Sequence, residues 1–267
     1  MYYPRALPRR GRLSGLEYEY LERGDGPPLL YLHAGEGLDP DEALLEKLSR
    51  RFRVIAPAHP GFGLSEVTGQ FRTVDDLSYF YLDLLEAEGL TDLTVVGSDI
   101  GAWIALEMAV KDVSRIGRMV FDNPIGLRFG TRTERNFIDI FQTQPIDWST
   151  LFLAGAPQDD RDWQAEPEDV ALRGARNREA FARFGWSPYL HNPRLPGRLH
   201  RATAPTLVLW GDQDKVASRA YAQSYAAALP NGRLEVIEGA GHYGFHDQPA
   251  AVAEAVLAFA RQPQSAS

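Results

Sequence analysis

No cysteine occurs among the 267 residues. That absence excludes disulfides, a thiolate nucleophile and sulfur-ligated metal together. A long apolar run is missing too: the most apolar neighbourhood, Thr94 to Val110, is broken by Asp99 and Glu107 and falls short of the roughly 18 apolar residues a membrane span takes. Basic charge is in deficit, with 28 Lys plus Arg against 36 Asp plus Glu. The resulting surplus speaks against nucleic acid and anionic membranes as partners, because either calls for a basic face. The amino-terminal MYYPRALPRR is basic but leads into polar residues rather than an apolar secretion signal, so a cytoplasmic location is expected. What is present suits one globular domain: 44% hydrophobic and 24% charged residues are enough for a large core.

The apolar runs alternate with amphipathic stretches. Leu16 to Leu21 alternates as an edge strand does, while Pro28 to Leu32, Arg53 to Pro57, Leu93 to Gly97, Arg115 to Phe121, Pro205 to Trp210 and Arg233 to Ile237 read as short buried strands. Between them, Leu44, Leu45 and Leu48 form a helical stripe behind an Asp39 N-cap and Pro40. Thr73-Val74-Asp75-Asp76 resembles a capping box opening a helix with Leu77, Phe80, Leu84 and Leu85 on one face. Ile100 to Val110 and Pro249 to Ala260 are further helices. This rhythm predicts an α/β fold with a mainly parallel sheet covered on both faces. It is interrupted from 125 to 201, where helical fragments and no buried strand occur; a helical cap is expected there, inserted after the sixth strand, with 1–124 and 202–267 as the core. Trp148, Trp163 and Trp186 read as packing residues of that cap.

The most specific signal is Val95-Val96-Gly97-Ser98-Asp99-Ile100-Gly101-Ala102-Trp103, an apolar strand meeting an apolar helix across a Gly-x-x-x-Gly turn. Glycines two before and two after the central residue are needed because so sharp a turn leaves no room for side chains there. The turn presents its central side chain at the carboxyl end of the sheet, where open α/β folds place their sites. Here that residue is Asp99; Ser98 is one place out of register and points away.

Four segments in order carry a family resemblance. Tyr31-Leu32-His33-Ala34-Gly35-Glu36-Gly37 resembles the His-Gly oxyanion loop of the α/β-hydrolase fold family, with Ala34 in place of the usual glycine. His59-Pro60-Gly61-Phe62-Gly63-Leu64-Ser65 resembles its following turn, Pro205 to Asp214 the strand that ends in the catalytic acid, and Gly239-Ala240-Gly241-His242 the loop bearing the histidine. The resemblance spans almost the whole chain and implies a triad of Asp99 as nucleophile, Asp214 as acid and His242 as base, with backbone amides of Gly35 and Ile100 as oxyanion hole. Asp212, and Asp122 after the preceding strand, compete for the role of acid, and His33 matches the structural histidine of the oxyanion loop. Aspartate at the elbow is similar to epoxide hydrolases and haloalkane dehalogenases, where Ser-bearing relatives differ.

A carboxyl group ordinarily ionises near roughly pH 4, so an aspartate attacks without the base that a serine needs. Attack on an ordinary ester would give a high-energy anhydride, whereas attack on an activated sp3 carbon gives a stable alkyl ester. Epoxide hydrolysis through an ester on Asp99 is therefore the leading expectation, followed by hydrolysis of that ester by water activated by His242. Haloalkane dehalogenation is disfavoured because Ile100 stands where a halide-binding Trp would follow the nucleophile. A serine-hydrolase scaffold for ester, lactone or carbon-carbon bond cleavage with Asp replacing Ser, and a non-hydrolytic relative, remain alternatives. Candidate substrate contacts are Tyr189, as the cap tyrosine that protonates an opening epoxide, together with Trp103 and Glu36. A small apolar substrate is expected, with no cofactor and no metal; a homodimer is left open.

Overall fold

The computed structural model describes residues 8–131, 133–142, 148–155 and 166–262. Eight strands form one sheet: β1 (Arg9–Leu13), β2 (Leu16–Arg23), β3 (Pro28–Leu32), β4 (Arg53–Pro57), β5 (Leu93–Ser98), β6 (Ile116–Asp122), β7 (Thr206–Gly211) and β8 (Gly232–Ile237), in the spatial order β1-β2-β4-β3-β5-β6-β7-β8. β1, β2 and β4 pair antiparallel; all other pairs are parallel. The seven strands read from the sequence all form. β1 escapes such a reading because its Arg-Arg-Gly-Arg-Leu carries almost no apolar signal, being an exposed edge ribbon.

Parallel strands must be covered on both faces, and they are. Helices α1 (Glu42–Ser49) and α8 (Pro249–Ala260) pack together on one side, and α2 (Val74–Ala87) with α3 (Ile100–Lys111) on the other. Helix α3 is buried from Ile100 to Val110, which is why its sequence is apolar all round. Helix α2 opens with the expected capping box: Thr73 Oγ1 accepts from the Asp76 amide at 3.2 Å and an Asp76 carboxylate oxygen accepts from the Thr73 amide at 2.8 Å. Asp39 is not an N-cap. It lies inside a 3-10 turn, Asp39–Asp41, that precedes α1; Pro40 suits the start of that tighter turn equally well.

β3 is the point of reversal in the strand order, with β4 on one side and β5 on the other. The loops leaving β3 and β5 therefore diverge and open a crevice between them. Within 125–201 the described elements include α4 (Trp148–Phe152) and α5 (Glu168–Gly185); Trp163 lies outside the described residues. Helix α5 lies across the β3 and β4 loops and is held there by buried polar contacts. Arg173 grips Glu19 of β2 through both guanidinium nitrogens, at 2.6 and 2.9 Å. Asn177 accepts from the Gly63 amide at 2.7 Å and donates to the Glu36 carbonyl at 2.7 Å. Trp186 is 60% exposed at the end of this helix, with its ring edge-on to Phe141 at 5.3 Å.

Removing one member of a buried ion pair strands the other. Arg173→Met is expected to lower the unfolding free energy by about 3 kcal/mol in urea titration; a loss under about 1 kcal/mol would mean that water reaches Glu19 in place of the guanidinium.

Candidate active site

Asp99 sits between the last residue of β5 and the first of α3 with φ 51° and ψ -115°. This backbone is rarely adopted by a side-chain-bearing residue and costs roughly 1 to 3 kcal/mol. The two glycines make it accessible. A Cβ on Gly97 would lie 2.7 Å from the Ala102 backbone, and one on Gly101 2.0 Å from the Leu32 carbonyl oxygen. The Asp99 amide is tied to the Asp122 carbonyl of β6 at 3.0 Å, and Ser98 turns the other way to share a hydrogen bond of 3.2 Å with Tyr31. The Asp99 carboxylate consequently stands at the amino end of α3, where the helix dipole favours negative charge.

Two partners meet that carboxylate. The Gly35 amide donates to Oδ2 at 3.2 Å, and His242 Nε2 lies 3.3 Å from Oδ1. On its far side His242 Nδ1 is 2.8 Å from Asp214 Oδ2. Asp214 is itself fixed by four donors: the Val216 and Ala217 amides at 2.7 and 3.1 Å on Oδ1, with Asn123 Nδ2 at 2.8 Å and the His242 ring on Oδ2. The chain 99–242–214 is continuous and its side chains are shielded from solvent. Ile100 is the first residue of α3, so its amide has no intrahelical partner.

Burial opposes charge on His242, yet the Asp214 and Asp99 carboxylates on either side outweigh it and push the imidazole up to about 10 from the ordinary 6.5. The imidazole is therefore protonated at neutral pH. Asp122, the competing acid, has its hydrogen bond elsewhere: it accepts from the Phe245 amide at 2.9 Å, and burial raises it to about 7. Asp212 accepts from the Gly239 amide at 2.8 Å and faces away. Geometry thus brings Asp214, and neither competitor, to the histidine.

The oxyanion loop is held from below by a histidine pair. His33 and His59 stack at 3.6 Å, and the His59 amide donates to His33 Nε2 at 2.9 Å. His33 Nδ1 bonds the Ala34 carbonyl at 2.7 Å, and His59 contacts the Tyr81 hydroxyl. Burial drives both imidazoles down, His33 to about 4, so this pair is neutral and positions Gly35. A Cβ on Gly35 would lie 2.9 Å from the Phe181 ring of α5; glycine lets that ring close over the site. Phe152 of α4 covers the other side, stacked on Tyr243 at 4.6 Å and 5.7 Å from the His242 ring.

Two expected substrate contacts lie elsewhere. The Tyr189 hydroxyl donates to the Ile138 carbonyl at 2.5 Å and accepts from the Ile140 amide at 2.9 Å, and its ring borders a cavity of about 200 Å³ with Arg128, Arg135 and His191, which none of Asp99, Asp214 and His242 lines. A hydroxyl saturated by backbone has no proton for a substrate. Trp103, one helical turn past Asp99, points into the core: its indole donates to buried Glu107 at 3.1 Å, and a Cβ on Gly126 would lie 2.4 Å from its ring. Glu36, by contrast, is half-buried directly after Gly35 at the site's edge.

Two site residues escape the sequence reading. Asn123 is buried with φ 46° and joins Asp214 to the Gly211 amide; asparagine's tolerance of left-handed backbone is a signal for the turn, though not for a partner 91 residues away. The other is Tyr243, hidden behind the more obvious histidine before it.

Comparison with known proteins gives the family. The chain belongs to the alpha/beta hydrolase fold family, whose pattern matches residues 27–249, and its class is that of the hydrolases. It is 27% identical to Haloalkane dehalogenase 2 of Mycobacterium tuberculosis over 93% of this chain and 91% of that one. Another relative, an uncharacterised protein of the same organism, is 26% identical over 88% of this chain and 76% of its own length. Among solved structures, a serine hydrolase involved in carbazole degradation superposes with a TM-score of 0.77 at 22% identity, over 95% of this chain and 98% of that one. A meta-cleavage product hydrolase gives 0.76 at 20% identity, over 96% and 98%.

The elevated His242 is directly measurable. Its folded value lies above the unfolded one, so the stability it contributes is complete below about 6.5 and is lost as pH rises towards about 10. NMR of the labelled imidazole should show titration near the upper value, moving down in Asp99→Asn because one flanking charge is gone; titration near 6.5 in both would contradict the assignment.

Proposed function

We propose that the protein hydrolyses small, largely apolar epoxides through a covalent alkyl ester on Asp99. The observation that supports this most is the carboxylate at the elbow, with Oδ2 on the Gly35 amide and Oδ1 facing His242. In this reading Oδ1 attacks an sp3 carbon while Oδ2, already on an amide donor, becomes the ester carbonyl. Esterification removes the Asp99 charge and one of the two supports of the imidazolium, so the His242 pKa falls and the ring becomes the base that the second step needs. Water then adds to the ester carbonyl, the Gly35 and Ile100 amides hold the oxyanion, and the diol leaves. Losing one such donor typically costs about 100 to 1000-fold. Asp214, held by Asn123 and two amides, orients His242. Residues 125–201 act as a helical cap, and its Phe152 and Phe181 supply an apolar wall that excludes bulk water.

The 27% identity to a haloalkane dehalogenase favours a second reading with the same nucleophile. Ile100 bears no N–H side chain to receive a departing halide, which ranks that reading below epoxide opening.

Substituting the base separates the two steps. His242→Ala treated with styrene oxide should accumulate an adduct of the full epoxide mass on the peptide bearing Asp99, while Asp99→Asn gains none. Adducts from 1-bromoalkanes but not from epoxides would replace the first reading with the second, and no adduct from either would end both.

A further inference from the structure

Epoxide opening leaves a negative oxygen that must be protonated, and the tyrosine expected for that task, Tyr189, is spent on the backbone. Other protic groups near the nucleophile are equally engaged: the His242 imidazolium between Asp99 and Asp214, Tyr31 with Ser98, Trp103 with Glu107, His59 with Tyr81. Tyr243 differs. Its amide donates to the Phe152 carbonyl at 3.0 Å, and its ring is clamped between Phe152 at 4.6 Å and Phe245 at 5.1 Å, beside the His242 ring at 5.8 Å. Yet its hydroxyl is buried and bonds nothing among the described residues.

A buried hydroxyl without a partner gives up hydrogen bonds that water would supply, at a cost of about 1 to 3 kcal/mol. A natural partner is an atom that arrives with the substrate. We infer that Tyr243 is the proton donor to the opening epoxide, its hydroxyl bonding the ring oxygen while Asp99 attacks the adjacent carbon. This rests on the epoxide reading and supplies the acid that reading lacks.

The surroundings fit the task. Burial raises the Tyr243 phenol well above its ordinary 10.0, and the Asp99 charge, ahead of Glu36 and Asp41, raises it further. The phenol is accordingly a neutral donor at neutral pH. As the Asp99–carbon bond forms and the carbon–oxygen bond breaks, the electron pair passes to the epoxide oxygen, which takes the Tyr243 proton and leaves a phenolate. The Asp99 charge has by then become part of a neutral ester, so the strongest of the three carboxylates opposing a phenolate has disappeared. The proton that His242 gives up on becoming the base restores the phenol, and hydrolysis of the ester, which yields carboxylate, alcohol and one proton, returns that proton to His242. The cycle balances as epoxide plus water to diol.

Tyr243→Phe in the His242→Ala background tests the donor, because the ester accumulates there and its formation is read directly by mass spectrometry. Two electrophiles are compared: styrene oxide, whose oxygen needs a proton, and phenacyl bromide, whose bromide leaves without one. Loss of the phenol should slow alkylation by styrene oxide by about 100-fold or more and leave alkylation by phenacyl bromide within about twofold. The melting temperature should stay level or rise, since an unpartnered buried hydroxyl is removed. Equal rates with styrene oxide, an equal loss with both electrophiles, or a marked fall in melting temperature would each overturn the role. No adduct from styrene oxide even with Tyr243 intact would instead overturn the epoxide reading itself.

Discussion

Everything at this site depends on the backbone turn that carries Asp99. A strand and a helix meet there with a side-chain-bearing residue at φ 51°, a conformation that persists because both neighbours of the turn are glycines pressed against backbone at distances no Cβ would survive. The strain is roughly that of a lost hydrogen bond or two, and a buried parallel sheet with a wholly buried helix α3 absorbs it. In return a carboxylate is held rigidly at a helix amino end, between the oxyanion loop after β3 and the histidine loop after β8. Neither loop is its neighbour in sequence; pairing of β3 with β5 brings the first alongside, and the second reaches back past β7 and β6 to set His242 3.3 Å from Asp99.

The charge arrangement follows from that placement. Two carboxylates, Asp99 and Asp214, flank one imidazole in a volume sealed from water, so the proton stays on His242 well above neutrality. In the proposed cycle His242 is protonated while Asp99 is free and is released as a base once Asp99 is esterified, the order a two-step displacement requires. The same chamber holds its remaining histidines neutral: His33 and His59 stack beneath the loop and carry no charge to disturb the pair above. Its walls come from Phe152 and Phe181, so the polar groups left for a substrate are few.

Much of this was readable in the chain. Strands β2 to β8, the capping box at Thr73 and the glycines around Asp99 are local consequences of residue type, and local physics is what sequence patterns report. The ordered motifs also led to Asp214 and His242. The motifs imply Asp214 as the acid, and the direction of the side chains is what sets Asp122 aside, since both follow strands: Asp214 meets His242 while Asp122 meets the Phe245 amide. Trp103 and Tyr189 misled for a related reason. Helical phase turns Trp103 into the core one turn after the nucleophile, and Tyr189 spends its hydroxyl on backbone groups some 50 residues earlier in the chain. Asn123 and Tyr243 were invisible for the converse reason: what distinguishes them is a long-range bond in one case and a missing bond in the other, neither of which leaves a trace in residue spacing.

The central claim is that Asp99 is the atom donor to product. A single turnover of the unsubstituted protein with styrene oxide in heavy-oxygen water measures it most directly, because ester hydrolysis at the Asp99 carbonyl transfers a former carboxylate oxygen to the diol and leaves solvent oxygen behind. The account predicts label in the peptide bearing Asp99 and a first-turnover diol that carries unlabelled oxygen. Label appearing in the diol from the first turnover, with none in Asp99, would mean that water attacks the substrate directly and would contradict it.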